Sequence, residues 1–195
     1  DDLSLLEIRM DEPSRVNSFA KEASDRFGNS EIEWTMGFEV KPTSFRVFDP
    51  LPMLLNVLME VPSLRAFSST LYTILAELYT NALEHGVLKL DSNLKQTSDG
   101  FSDYYELREQ RINQVTEGFV RINIAHKTNE NGGLLKVRIE DSGDGFDYQA
   151  RTTDNLSTFG YSGRGIALVE KLCGAVTYLG CGNIVEVAFS WVNDD

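Results

Sequence analysis

Residues 64–86 form one long apolar-periodic segment that closes on ELYTNALEHG, Glu77 to Gly86. Leu71, Ile74, Leu75 and Leu78 recur at i, i+3, i+4 and i+7, the spacing of a helix with one face in a core. A helix of that kind needs a second layer to cover it. Glu77, Asn81 and His85 follow at i, i+4 and i+8. Each step of four advances about 40° on a helix of 3.6 residues per turn, so a carboxylate, a carboxamide and an imidazole share one stripe. Ala82 beside them is small enough for a close approach, and Gly86 predicts the stop. A polar stripe next to an apolar face is also what a solvated helix shows. Its meaning depends on the rest of the chain.

The covering layer is legible as strands. Val120, Ile122 and Ile124 alternate with Phe119, Arg121 and Asn123, and Leu135, Val137 and Ile139 alternate up to Glu140-Asp141. Residues 129–133 supply the turn between them. Two further strands, 175–179 and 184–191, flank a Gly180-Cys181-Gly182-Asn183 turn. Upstream, Trp34, Met36, Phe38 and Val40 alternate, and Lys41-Pro42-Thr43-Ser44 predicts a turn into a second strand over 45–48, making a hairpin. Asp49-Pro50 opens a short helix that Pro62 closes. Residues 91–117 read as added material, with a more exposed helix through Tyr104, Arg111 and Ile112, and a further helix is expected over about 164–172. Largely antiparallel strands with helices collected on one side predict an α+β two-layer sandwich.

Composition narrows the function classes. Lys and Arg total 18 against 30 Asp and Glu, a net charge of −12. That repels phosphate backbones and argues against nucleic-acid binding. No apolar run approaches the ~18 residues of a membrane span. Cys173 and Cys181 follow neither a metal nor a redox spacing and are expected as reduced thiols in a cytoplasmic setting.

Two later stretches carry chemistry. DSGDGF, Asp141 to Phe146, ends an apolar strand. Gly143 and Gly145 permit positive φ and close backbone approach to a flat ligand, and an Asp at a strand end can accept from an exocyclic amine such as that of adenine. The same residues would also serve a loop that only turns the chain. FGYSGRGIALV, Phe159 to Val169, sets Gly160, Gly163 and Gly165 ahead of a helix, so free N–H groups and the helix N-terminus suit an anion that Arg164 could reach. It is not a P-loop, since no Gly-Lys-Ser/Thr follows.

In this order, E-x-x-x-N-A-x-x-H-G, D-x-G-x-G and a Gly-rich box before a helix resemble the three boxes of the GHKL, or histidine-kinase-like, ATPase superfamily over about residues 32–192. The closer similarity is to the anti-sigma-factor serine kinases of bacterial partner switching. That resemblance implies an ATP and Mg²⁺ site. Glu77 would take the proton from a partner's serine hydroxyl, and Asn81 would hold Mg²⁺. Asp141 would bind the adenine amine above Gly143 and Gly145, and Gly163, Arg164 and Gly165 would cradle phosphates in a lid. His85 is expected as a hydrogen-bonded structural histidine at the helix end.

The resemblance also implies the partners: a sigma factor and an anti-sigma-factor antagonist. The alternative is a non-catalytic anti-sigma module with a degenerate site, because such a fold can bind without turnover. Homodimerisation stays open. The opening DDLSLLEI resembles the last strand of metal-dependent bacterial serine phosphatases, where Asp1 or Asp2 would be a stranded metal ligand. Residues 1–30 are therefore expected to be a terminal strand and helical linker left from a phosphatase-like domain of a response regulator. Residues 31–195 would be the ATP-binding domain, with its insertion at about 91–117.

Overall fold

The computed structural model describes residues 32–91, 94, 98–129, 131–148 and 164–192. The strand and helix expected over residues 1–30, and Gly163, lie outside the described residues. Strands β1 (Ile32–Val40), β2 (Val120–Asn129), β3 (Gly132–Asp141), β4 (Val176–Leu179) and β5 (Ile184–Val192) form one sheet in the order β1-β2-β3-β5-β4. Every neighbouring pair is antiparallel. The helices are α1 (Pro42–Phe45), α2 (Pro50–Met59), α3 (Ser68–Thr80), α4 (Ser98–Gln114) and α5 (Arg164–Cys173). The α+β sandwich expected from the strand pattern is the fold that forms. None of the described helices is long and apolar enough to cross a membrane.

Period two decides the two faces of the sheet. Val120, Ile122, Ile124, Leu135, Val137 and Ile139 point into the core and are almost fully buried. Their outward neighbours carry ion pairs between residues directly opposite in register. Arg121 reaches Glu39 at 2.6 Å and Glu140 at 3.3 Å, and Arg138 reaches Glu186 at 2.6 Å. A slip of one residue would move each charge into the core, so the pairs and the apolar alternation specify one register.

The helical layer follows from local signals. Asp49 caps α2 by accepting from the Leu51 N–H at 3.0 Å, Pro50 sits in the first turn, and Leu51, Leu54 and Leu58 face inward. On α3, Leu71, Ile74, Leu75 and Leu78 are 0–1% exposed. Burial of each such side chain stabilises the fold by about 1.5–3 kcal/mol. Helix α3 packs against both α2 and α5.

Two expectations need correcting. The second strand of the early hairpin, expected over 45–48, is absent. Pro42–Phe45 is a helical turn instead, and β1 pairs with β2. Proline at the first helical position and the bond from Ser44 N–H to Lys41 O favour the turn, while β1 finds its edge far along the chain. The segment 64–86 is not one continuous α-helix either. It begins as a 3₁₀ helix over Pro62–Phe67, becomes α3, and widens into a π-helical turn over Asn81–Val87.

At the far end of the sheet, His126 is 1% exposed and stacks between Trp34 (5.1 Å) and Trp191 (5.7 Å). Neither ring nitrogen has a hydrogen-bond partner, and burial holds its pKa below the usual 6.5. The Trp191 ring also lies where a Cβ on Gly133 would be, 2.2 Å from Cζ2. Because stacking on His126 and Phe189 hinders that ring from yielding, Gly133→Ala is expected to destabilise by about 1–3 kcal/mol. Urea unfolding checks the sign, since alanine in an unobstructed strand would stabilise.

Candidate functional site

The three stretches make two contacts: the end of the 77–86 segment touches the Asp141 loop at the end of β3, and the first turn of α5 lies against Glu77. Asp141, the last residue of β3, is 9% exposed. Its Oδ1 accepts from the Gly143 N–H at 2.8 Å, closing a small turn of the kind Asp favours. Asn183 pins the backbone there twice: its carbonyl accepts from the Asp141 N–H at 3.0 Å, and its Nδ2 donates to the Asp141 carbonyl at 2.9 Å. Burial raises the Asp141 pKa from 3.8 to about 6, although the Gly143 N–H acts in the opposite direction. A carboxylate held this way is poised to accept from a donor that enters the site.

Glycine makes the convergence sterically feasible. A Cβ on Gly86 would lie 2.3 Å from the carboxyl carbon of Asp141, and one on Gly143 would lie 2.5 Å from the Gly86 carbonyl oxygen. The end of the π-helical turn and the Asp141 loop are thus in direct contact. Sequence reasoning treated Gly86 only as a helix stop. At Gly145 φ is 74°, and the next residue, Phe146, donates its N–H to Cys181 O at 3.0 Å. Phe146, Tyr148 and Tyr178 form an aromatic cluster beside that loop, with Phe146 and Tyr178 centroids 5.0 Å apart.

The third stretch approaches from the other side. A Cβ on Gly165 would lie 2.0 Å from Oε2 of Glu77, so the Glu77 carboxylate rests against the first turn of α5. Asn81 begins the π-helical turn, between Glu77 and Gly86. Arg164 enters as the first residue of α5. The structure therefore brings Glu77 to Gly165 and Gly86 to Asp141 and Gly143, with Asn81 on the chain between the two contacts.

His85 is hydrogen-bonded at the helix end, as expected. Its ring is half-buried, and Nδ1 donates to the Leu90 carbonyl at 2.7 Å. The turn widens after Asn81, which takes His85 off the stripe that a regular helix would have continued.

Sequence reasoning missed Glu84. It is 6% exposed and accepts from Tyr104 Oη at 2.5 Å and Arg108 Nε at 2.7 Å, both on α4. The available signal was the run of Tyr104, Arg108 and Arg111 at i, i+4 and i+7 on a helix whose other face is exposed. The same helix sends Tyr104, fully buried, and Ile112 into the core.

Among known proteins, residues 65–189 match the family model of the histidine kinase-like ATPase domain. No curated protein matches the chain. The matched span begins just before α3 and runs into β5, so it takes in Glu77, Asn81, Asp141, Gly143, Gly145 and Gly165.

Proposed function

The chain belongs to the histidine kinase-like ATPase domain family, and from that premise we propose a serine kinase and anti-sigma factor of a bacterial partner switch. It binds ATP with Mg²⁺, phosphorylates a serine of an anti-sigma-factor antagonist, and sequesters a sigma factor. The observation that carries the reading is the convergence of Asp141 on Gly86 and of Glu77 on Gly165.

The residues fit the ligand. Asp141 is a buried acceptor with one oxygen engaged by the Gly143 N–H, an arrangement suited to accept from an exocyclic amine. Gly86 and Gly143 carry no side chain that could displace its carboxyl group. Asn81 would hold Mg²⁺ through its amide oxygen, and the ion would neutralise phosphate charge. The first turn of α5 offers backbone N–H groups to an anion. Glu77, beside that turn, takes the proton from the serine Oγ as Oγ forms its bond to the γ-phosphorus and the bond to the ADP oxygen breaks.

A thermal-stability titration with ATP tests the nucleotide part. ATP with Mg²⁺ should raise the midpoint with the logarithm of its concentration, reaching ~2.7 kcal/mol at a hundredfold excess over Kd. GTP should do so only at much higher concentration. A midpoint unmoved by ATP at millimolar concentration would sink the reading. Pull-down with purified sigma factor and antagonist tests the remainder, and capture of neither removes the partner switch.

A further inference from the structure

We propose that α4 sets the geometry of the adenine side of this site, with Glu84, Tyr104, Arg108 and Arg111 as positioning residues that hold the π-helical turn of Asn81–Val87. This rests on the nucleotide reading above.

A π-helical turn is rarely stable by itself and occurs mostly as a single turn held by its surroundings. Here Leu88 N–H donates to Leu83 O at 2.8 Å, five residues back, and Leu90 N–H donates to Glu84 O at 2.8 Å. The turn carries a buried carboxylate, Glu84, which would be costly without donors. Tyr104 and Arg108 supply them. Where the segment ends, its last carbonyls need partners from outside. Arg111 provides one, donating from Nη1 to Leu88 O at 2.6 Å and also to Lys89 O. All three donors are on α4. An open cleft of about 430 Å³ between the two elements is lined by Val87, Leu88, Lys89, Arg111, Gln114 and Val115. It contains none of Glu77, Asn81 and Asp141, so it is a seam beside the site rather than the nucleotide cavity.

The geometry makes the consequence selective. Returning the turn to α pitch removes its extra residue and rotates the residues after it by about 100°. That would carry Gly86 off Asp141. Glu77 and Asn81 precede the extra residue and stay with α3. Loss of the α4 contacts should therefore impair recognition of the base more than binding of the triphosphate.

The test measures ATP and GTP affinities for the wild-type chain, Tyr104→Phe, Arg111→Gln and, as a control on the exposed side of α4, Glu109→Gln. The ATP-over-GTP preference is expected to fall about tenfold in Tyr104→Phe and Arg111→Gln and to be unchanged in Glu109→Gln. Uniform weakening of both nucleotides, or an unchanged preference in Tyr104→Phe, overturns the inference while leaving the nucleotide site standing. A wild-type chain that binds ATP no better than GTP overturns both. Tyr104→Phe removes only a hydroxyl, so it carries the test if Arg111→Gln does not fold.

Discussion

Asp141→Asn is expected to weaken ATP binding by at least about tenfold while making the ligand-free protein more stable at neutral pH. Both effects come from one buried carboxyl group. In the fold its pKa stands at about 6, above the ordinary 3.8 that the unfolded chain restores. Between those values the folded state holds a proton that the unfolded state has lost. The group's contribution is therefore most favourable below about pH 4 and is lost as pH rises through 6. At pH 7 the cost is at most about 3 kcal/mol, and partial solvent access reduces it. Asparagine keeps an oxygen to accept from the Gly143 N–H and carries no charge. Its gain should be about 1–3 kcal/mol at pH 7 and should vanish near pH 4, read from urea midpoints across that range. The amide also turns a donor toward an entering amine, so ATP binding falls. A variant that is less stable than wild type at pH 7 would show that the carboxylate is stabilised in the fold after all.

How much of this was legible in the chain depended on how far apart the partners lie. The apolar alternation of Val120, Ile122 and Ile124 needs no partner to be recognised, and β2 formed where that pattern stood. The same holds for α3, whose four inward residues repeat at helical spacing, and for the Asp49 cap of α2. The pairing of β1 was misread because a turn signal at Pro42 suggested a local hairpin. The actual partner, β2, is reached only after helices α1 to α4, a 3₁₀ helix and a π-helical turn have intervened. The widening at Asn81 was illegible for a related reason. Its bonds from Leu88 and Leu90 are local, but the donors on Tyr104, Arg108 and Arg111 that hold it come from another helix. Asp141, Gly143 and Glu77 are candidates on residue type and spacing alone, and each lies at one of the two contacts the fold makes. Gly86 and Glu84 have meaning only once their neighbours in space are known.

Glu77→Gln should lower phosphoryl transfer to the antagonist's serine by about 10²–10⁴-fold with ATP affinity nearly unchanged, if Glu77 is the base. Single-turnover transfer from labelled ATP measures the first and calorimetry the second. The packing of Glu77 allows a sharper companion test. In Gly165→Ala the new methyl would fall on Oε2 of Glu77, the far end of a side chain that can swing away. Relief is thus inexpensive, and alanine in a helix is favoured over glycine by up to about 1 kcal/mol. Stability should hold or rise, yet transfer should fall because the carboxylate no longer rests against α5. The double variant should then be no slower than Glu77→Gln alone, since the displaced group is already gone. Additive losses would mean that Gly165 acts on the phosphates directly. Full activity in Gly165→Ala would place the base elsewhere or let the carboxylate return when substrate binds. Repeating the assay on Glu77→Gln separates those outcomes, because only the first leaves transfer intact in that variant.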